Sequence, residues 1–365
     1  MESLTVLHAD GFVGSATISH STFWSRLSKR QGTESSLSAT FLPHSLEHLS
    51  LAYCNLSDDA VDISSLPSLK YLNLSGNSIY CLPHTINSLT KLESLVLDHC
   101  KSLQSLSKLP TSLKELSAEE CTSLERISNL PNLMRSLMLN LSGCQQLVEV
   151  QDLFKLGPIS NLDMEMANKL GLFNLESAES IKIEMSSVLT MTSRITPAQV
   201  LHECGICSIF LPGSEVPGWY KTKSEESLIS FSLPPPHGRK IRGLNICIVY
   251  TCNNPTNGFD DHHYTKVWNK TKDLKWTYSP TFYGIPETNE NMLWLSHWKL
   301  GDQLEGGDQL NVSVVVSTDY QVKKFGIHLV YEQEKEDTQL NSEETGENTS
   351  SWYRTFSDLD MELYR

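Results

Sequence analysis

The chain has 365 residues, 39% hydrophobic and 20% charged, with a formal net charge of −14; this is length for two or three domains and enough apolar content to fold them. No apolar run approaches the ~18 residues that span a bilayer. The opening Met1-Glu2-Ser3 lacks the basic start and apolar core of a secretory signal, the negative charge disfavours a protein that grips nucleic acid by its phosphates, and the absence of Gly-x-x-x-x-Gly-Lys-Ser/Thr and Gly-x-Gly-x-x-Gly argues against an intact nucleotide-binding domain.

In chain order, Leu4, Leu7, Ala9 and Phe12 fit one degenerate copy of a repeat that becomes regular further on. A Ser/Thr-rich stretch around Phe23-Trp24-Ser25-Arg26-Leu27 follows and reads as an insertion. The regular copies begin at Leu46-x-x-Leu49-x-Leu51-x-x-Cys54-x-Leu56. Leu69, Leu72, Leu74, Asn77 and Ile79 repeat it, then Leu92, Leu95, Leu97, Cys100 and Leu103, then Leu113, Leu116, Ala118, Cys121 and Leu124. A fifth copy keeps Leu139, Leu141, Cys144 and Leu147, with Ser136 at its leading position. The Cys/Asn anchors step by 23, 23, 21 and 23 residues, which predicts a leucine-rich repeat solenoid over 1–150, degenerate before 41. In each Leu-x-Leu strand the leucines point inward and the residues between them outward. The anchor must satisfy backbone groups that the turn would otherwise bury unpaired; Asn does so with its amide, Cys with a small apolar body and a weak S–H donor. Solenoids normally open with a capping element. None precedes Leu4, so the array reads as cut from a longer one.

The outward positions define a strip. It runs through His48, Ser50, Ala52 and Tyr53, then Tyr71, Asn73 and Ser75, then Ser94, Val96, Asp98 and His99. Glu115, Ser117, Glu119 and Glu120 make the fourth repeat the most acidic, and Met138, Asn140 and Ser142 close the series. Each residue alone is first a solvated one; the strip as a whole is expected to be a binding surface, with His48, Tyr53, Tyr71, Asn73, Asp98, His99, Glu115, Glu119 and Glu120 as its candidates.

Residues 151–204 predict a helical connector, from apolar spacing over Met164–Leu172 and Glu176–Val188 and from Thr196-Pro197 as a cap and first turn. From Gly205 the period switches to two. Alternating runs at 206–211, 229–233, 244–250, 293–295, 310–316 and 325–331, with shorter ones at 267–268 and 276–278, are separated by Gly, Pro and Asn breaks; they predict an antiparallel β-sandwich over 205–333. Residues 332–365 carry ten acids against three bases, so 334–365 reads as an acidic disordered tail, with a weak apolar pattern over Trp352–Tyr364. The fold class expected is α+β multidomain: a short solenoid followed by an antiparallel sandwich.

Ile209-Phe-Leu-Pro-Gly-Ser-Glu-Val-Pro-Gly-Trp219 resembles the opening of the C-terminal jelly-roll and Ig-like domain that follows the repeats in plant intracellular immune receptors of the TIR, nucleotide-binding, leucine-rich-repeat class. Ile241–Tyr250, Leu293–Trp298 and Val322–Tyr331 fall in the order expected for that domain, and the Cys-anchored repeats are similar to those of the same family. The TIR and nucleotide-binding domains that precede the repeats there are not in this sequence. The resemblance therefore implies a non-catalytic recognition module, cytoplasmic or nuclear, with no cofactor. Its implied partners are a pathogen effector protein and a full-length receptor or its other domains, with neither nucleic acid nor membrane.

Sharper chemistries compete less well. Cys204 and Cys207 with Cys247 and Cys252 offer four thiols, but the second spacing is loose for zinc and two of the four sit in apolar runs. Ser214, Glu215 and His297 lack a nucleophile elbow. Trp268, Trp276, Tyr278, Tyr283, Trp294 and Trp298 offer an aromatic platform, which makes a carbohydrate-binding sandwich the alternative function. The Asn253–His263 and Tyr278–Asn291 connections are too long for simple hairpin turns, which adds Tyr283 as a candidate loop anchor.

Overall fold

A computed structural model describes residues 4–11, 28–31, 34–38, 42–57, 61–63, 65–130, 137–170, 172, 180–185, 193–235, 239–252, 263–287 and 290–332. Among these the chain divides into two compact units, one ending at Gln151 and one beginning at Asp152. The fold is mostly β.

The first unit is a stack of coils. Short strands β1 (Val6–His8), β4 (His48–Ser50), β6 (Tyr71–Asn73), β7 (Ser94–Val96), β9 (Glu115–Ser117) and β11 (Met138–Asn140) form one parallel sheet in that order. Register places Leu7, Leu49, Leu72, Leu95, Leu116 and Leu139 in one row, one leucine per coil. Leu49, Leu72, Leu95 and Leu116 are completely buried, as are Leu46, Leu69 and Leu92. One repeat period thus advances the chain by one strand spacing, and each coil covers the apolar edge of the last. A second parallel sheet, β8 (Ser105–Leu106), β10 (Arg126–Ile127) and β12 (Glu149–Val150), lines another side of the later coils. Of the predicted insertion, β2 (Ser28–Gln31) and β3 (Glu34–Ser38) form a hairpin, and β3 pairs in parallel with β5 (Val61–Asp62). Phe12 and the Phe23–Leu27 stretch lie outside the described residues.

The anchors do the work expected of them. Asn77 Nδ2 donates to the carbonyls of Leu51 and Leu74 at 2.9 and 2.7 Å, and its Oδ1 accepts the N–H groups of Cys54 and Leu56, both at 3.0 Å. The cysteines manage one half of this. Cys54, Cys100, Cys121 and Cys144 donate Sγ–H to the carbonyls of Ala9, Leu74, Leu97 and Ala118 at 3.1, 3.3, 3.1 and 3.1 Å, always one coil back. Burial pushes the thiols of Cys54 and Cys144 up to about 11 and about 12, so they remain protonated donors.

The second unit contains β13 (Phe154–Pro158), β14 (Ser180–Met185), β15 (Ser193–Pro197), β16 (Gln199–Glu203), β17 (Ile206–Pro212), β18 (Thr222–Ser224) and β19 (Leu228–Ser232). It continues with β20 (Ile241–Cys252), β21 (Tyr264–Asn269), β22 (Leu274–Tyr278), β23 (Phe282–Ile285), β24 (Asn291–Lys299), β25 (Gln309–Val315) and β26 (Tyr320–Tyr331). An antiparallel sheet runs β18-β26-β20-β24-β17-β16-β13, a second β19-β25-β21-β22, and a third β15-β14-β23. β17, β20 and β24 are buried along nearly their whole length, so both faces of the first sheet's centre are covered. β21 and β25 alternate buried and outward residues, so their sheet is covered on one face only. Tyr278 on β22 meets Trp298 and Trp294 on β24, with ring centroids 5.6 and 6.1 Å apart.

Three expectations are corrected here. The predicted helix over 164–172 forms as α1 (Met164–Leu170), but the helices expected at 176–188 and 196–203 are replaced by β14, β15 and β16 among the described residues. Ile181, Ile183 and Met185 are buried while Ser180 and Lys182 are exposed, because β14 pairs with both β15 and β23; those ladders override a spacing that also fits a helix. The Tyr278–Asn291 connection is no free loop, since it contains β23, and Tyr283 on that strand is 3% exposed against a predicted role as surface anchor. Of the supposed aromatic platform, Trp276, Tyr278, Tyr283, Trp294 and Trp298 are core, and only Trp268 is exposed. The 253–262 part of the other long connection and the residues from 333 onward lie outside the described residues.

Candidate interaction surface

The outward strip is built by the first sheet's register. His48 pairs with Tyr71, and their rings stack with centroids 5.8 Å apart at 30°. Asn73 is half-buried, and its Oδ1 accepts the N–H of Ser75 at 2.9 Å, closing a local turn. Asp98 plays a structural part that its charge alone does not reveal: its Oδ1 accepts from Ser117 Oγ at 2.6 Å and from the Glu119 N–H at 2.9 Å, tying the third coil to the fourth. Asp10, which sequence reasoning missed, does the same for the first and second, accepting from Ser50 Oγ at 2.5 Å and the Ala52 N–H at 3.0 Å. Both aspartates stand two positions before an anchor site, and that shared position was the available signal. Glu115 accepts from Ser94 Oγ at 2.9 Å, and Glu119 from Asn140 Nδ2 at 3.4 Å. Asp98, Glu115 and Glu119 are thus each tied to a neighbouring coil.

The residue just before each anchor forms a rim. Tyr53, Gly76, His99, Glu120 and Gly143 all adopt positive φ, from 56° to 73°. Their N–H groups reach along the stack: Tyr53 to the Ser75 carbonyl, Gly76 to Asp98, His99 to Glu119, and Glu120 to Ser142, at 2.6–2.7 Å. This left-handed turn is what the coil requires, and glycine meets it without strain. A large side chain there costs about 1–2 kcal/mol, yet Tyr53, His99 and Glu120 carry one. The glycines make room for them. A Cβ on Gly76 would sit 2.1 Å from the Tyr53 ring, and one on Gly143 would sit 2.5 Å from Glu120 Oε1. Tyr53 and His99 flank an open groove of about 400 Å³, also lined by Gly76, Ser78, Lys101 and Ser102.

Glu203 and His297 are among the titratable groups buried in the second unit. Glu203 Oε1 accepts from the Tyr278 hydroxyl at 2.8 Å and the Thr281 N–H at 2.9 Å. With that proton committed, Ser208 Oγ donates to Tyr278 at 2.9 Å and receives the indole N–H of Trp294 at 3.3 Å. Burial pushes the Glu203 carboxyl up to about 7. His297 pairs with Asn245 Oδ1 at 2.7 Å, and burial pushes it down to about 4. Neither fits the other chemistries weighed. Ser214 follows the end of β17 that pairs with Met292, whereas His297 pairs with Cys207 near the strand's start. Glu215 pairs with Lys324. Cys207 and Cys247 lie on strands separated by β24, opposite different residues of it, and burial pushes both thiols up to about 12.

A coil-stacked parallel face with an outward polar strip, and a second, mostly β unit, define a repeat solenoid joined to a β-rich domain. Comparison with known proteins agrees in class and in detail. Residues 44–101 match the family of the leucine rich repeat, and 211–336 match the C-JID domain. TMV resistance protein N of Nicotiana glutinosa is 49% identical over 72 residues, 19% of this chain and 6% of that protein. The inactive disease resistance protein RPS4 of Arabidopsis thaliana is 27% identical over 263 residues, 68% of this chain and 19% of that one. Disease resistance-like protein DSC1 of Arabidopsis thaliana is 40% identical over 89 residues, 22% of this chain and 7% of the relative. The chain therefore spans a fifth or less of the length of these relatives. It corresponds to the C-terminal region of plant TIR-NBS-LRR disease resistance proteins. No helix among the described residues is long and apolar enough to cross a membrane.

Proposed function

We propose that this chain is the recognition module of an intracellular plant immune receptor, binding a pathogen effector protein in support of a defence response. The binding surface is the strip from His48 to Glu120, and loops of the C-JID domain, whose sheets we read as an antiparallel sandwich of jelly-roll and Ig-like type, are a second contact region. The observation that carries this reading is the rim: three of its five positions hold large side chains in a conformation that favours glycine. The coil gains nothing from them that Gly76 and Gly143 do not provide, so a partner is the natural reason for their presence. The module turns over no substrate of its own and works in the cytoplasm or nucleus. A basic patch on the effector would complement Asp98, Glu115, Glu119 and Glu120.

The test is a screen of secreted pathogen proteins against the intact chain, followed by His48→Ala, Tyr53→Ala and paired Glu119→Lys and Glu120→Lys variants. An effector whose binding is lost in the charge-reversed variant, and weakened by each alanine, supports the strip. Binding indifferent to all of them refutes it. Saturable binding on a glycan array would instead favour the carbohydrate-binding alternative, and turnover of NAD or ATP would refute the non-catalytic reading.

A further inference from the structure

The four-stranded sheet of the second unit is covered on one side only, and its outward side has an unusual composition. Register lays two rows across it. Leu228, Ser313, Lys266 and Thr277 form one, and Ser230, Asn311, Trp268 and Lys275 the other. The rows beneath, through Ile229, Val312, Val267 and Trp276, are buried. The outward rows contain no carboxylate at all, in a chain of net charge −14. Aromatic rings position the cations on this face. Lys266 Nζ lies 4.8 Å from the centroid of the Tyr264 ring, and Lys270 and Lys275 lie 5.5 and 5.0 Å from that of Trp268. Trp268 is itself tethered, donating its indole N–H to Asp273 Oδ1 at 3.0 Å. Asp273 also pairs with Lys275 at 3.1 Å; no carboxylate among the described residues pairs with Lys266 or Lys270, whereas the nearby Lys272 is taken up by Glu305 and Asp308.

We propose that this face is a docking surface for an extended acidic segment of a partner protein. The ammonium groups of Lys266 and Lys270 would take its carboxylates, with Lys275 shared between Asp273 and the segment, and Ser230, Thr277, Asn311 and Ser313 would supply neutral hydrogen bonds between them. The arrangement favours carboxylates over the other anionic polymers. A base or a sugar ring needs an open aromatic surface to stack on, but two lysines already occupy the Trp268 ring, so the ring organises cations instead of receiving a ligand. A long polyanion would also feel the net negative charge of the whole chain, whereas a short peptide samples only the patch within a Debye length of about 8–10 Å. Exposed ion pairs contribute little each and are screened by salt, so the contact is weak and salt-sensitive. It does not depend on the effector reading.

The experiment uses the intact chain and a fluorescein-labelled peptide of alternating glutamate and serine, followed by fluorescence anisotropy at low ionic strength. A lysine–serine peptide, an oligodeoxythymidine and polygalacturonate form the comparison arms. The expected result is saturable binding of the acidic peptide alone, weakened by about tenfold or more in the Lys266→Glu, Lys275→Glu double variant, equivalent to about 1.4 kcal/mol. Lys91→Glu, an exposed charge reversal in the other unit, should change it less than about twofold. Both altered lysines of the double variant are exposed, and an unchanged melting temperature will confirm that the variant is folded; Lys266→Gln with Lys275→Gln should fall between it and the native chain. Absence of saturable binding, or equal binding by the double variant, overturns the proposal. So does tighter binding of the oligonucleotide or the polygalacturonate through the same lysines, which would assign the face to another class of ligand.

Discussion

Glu203→Gln should stabilise the second unit above neutral pH and leave it unchanged in mild acid. The carboxyl is 7% exposed and accepts two hydrogen bonds through Oε1, from Tyr278 and Thr281. A glutamine carbonyl accepts the same two bonds without a charge to bury. Desolvation raises the native carboxyl from 4.5 to about 7, so the folded state holds this proton more tightly than the unfolded chain does. The associated stability is fully present below pH 4.5, falls as the unfolded chain ionises, and is gone once pH passes about 7. At about 1.4 kcal/mol for each tenfold in proton affinity, the loss amounts to about 3 kcal/mol. Urea denaturation of native and Glu203→Gln chains, followed by the near-ultraviolet signal of the buried tryptophans at a series of pH values, isolates this group because other titrations cancel in the difference. The variant should match the native chain near pH 4.5 and exceed it by about 3 kcal/mol at pH 8. Parallel curves at all pH values would refute the argument and place the Glu203 carboxylate in contact with water or an unrecognised cation.

Asn77→Ala removes the four short hydrogen bonds of a buried turn and should cost about 4 kcal/mol at about 1 kcal/mol each, while Asn77→Cys, which can still reach the Leu51 carbonyl, should cost about 3 kcal/mol in the same denaturation assay. His99→Gly relieves a left-handed residue but frees the unfolded backbone, so stability should change by less than about 1 kcal/mol while effector binding weakens; a large loss of stability would make the rim structural instead. Tyr283→Ala should lower stability by about 3–5 kcal/mol, as a core truncation does, and a silent effect in thermal melts would return this residue to the surface.

Much of the first unit was legible because a solenoid is close to one-dimensional. Each coil packs only against its neighbours, so a pattern recurring every 21 or 23 residues names the buried leucines, the anchors and the outward strip without knowledge of any distant contact. The strip's chemistry was legible only in part. Asp98 shows as a charge in sequence, but its bonds to Ser117 and Glu119 arise between coils, and the left-handed turn at Tyr53, His99 and Glu120 is a backbone property that only the comparison with Gly76 and Gly143 hints at. In the second unit, period-two alternation located β17, β19, β20, β24, β25 and β26, because strands in a half-buried sheet carry that alternation themselves or stand out as apolar runs. Ser180–Met185 carried both a helical and a strand pattern, and only its ladders to Ser193–Pro197 and to Phe282–Ile285 decided between them. The same pairing buried Tyr283, which isolated sequence places in a loop. Residue order thus determined the repeat, its core and most strands, since these depend on local periodicity; the strand character of 180–203, the burial of Glu203 and the gathering of Lys266, Lys270 and Lys275 round two aromatic rings depend on partners in other strands and turns, and only the folded chain brings those together.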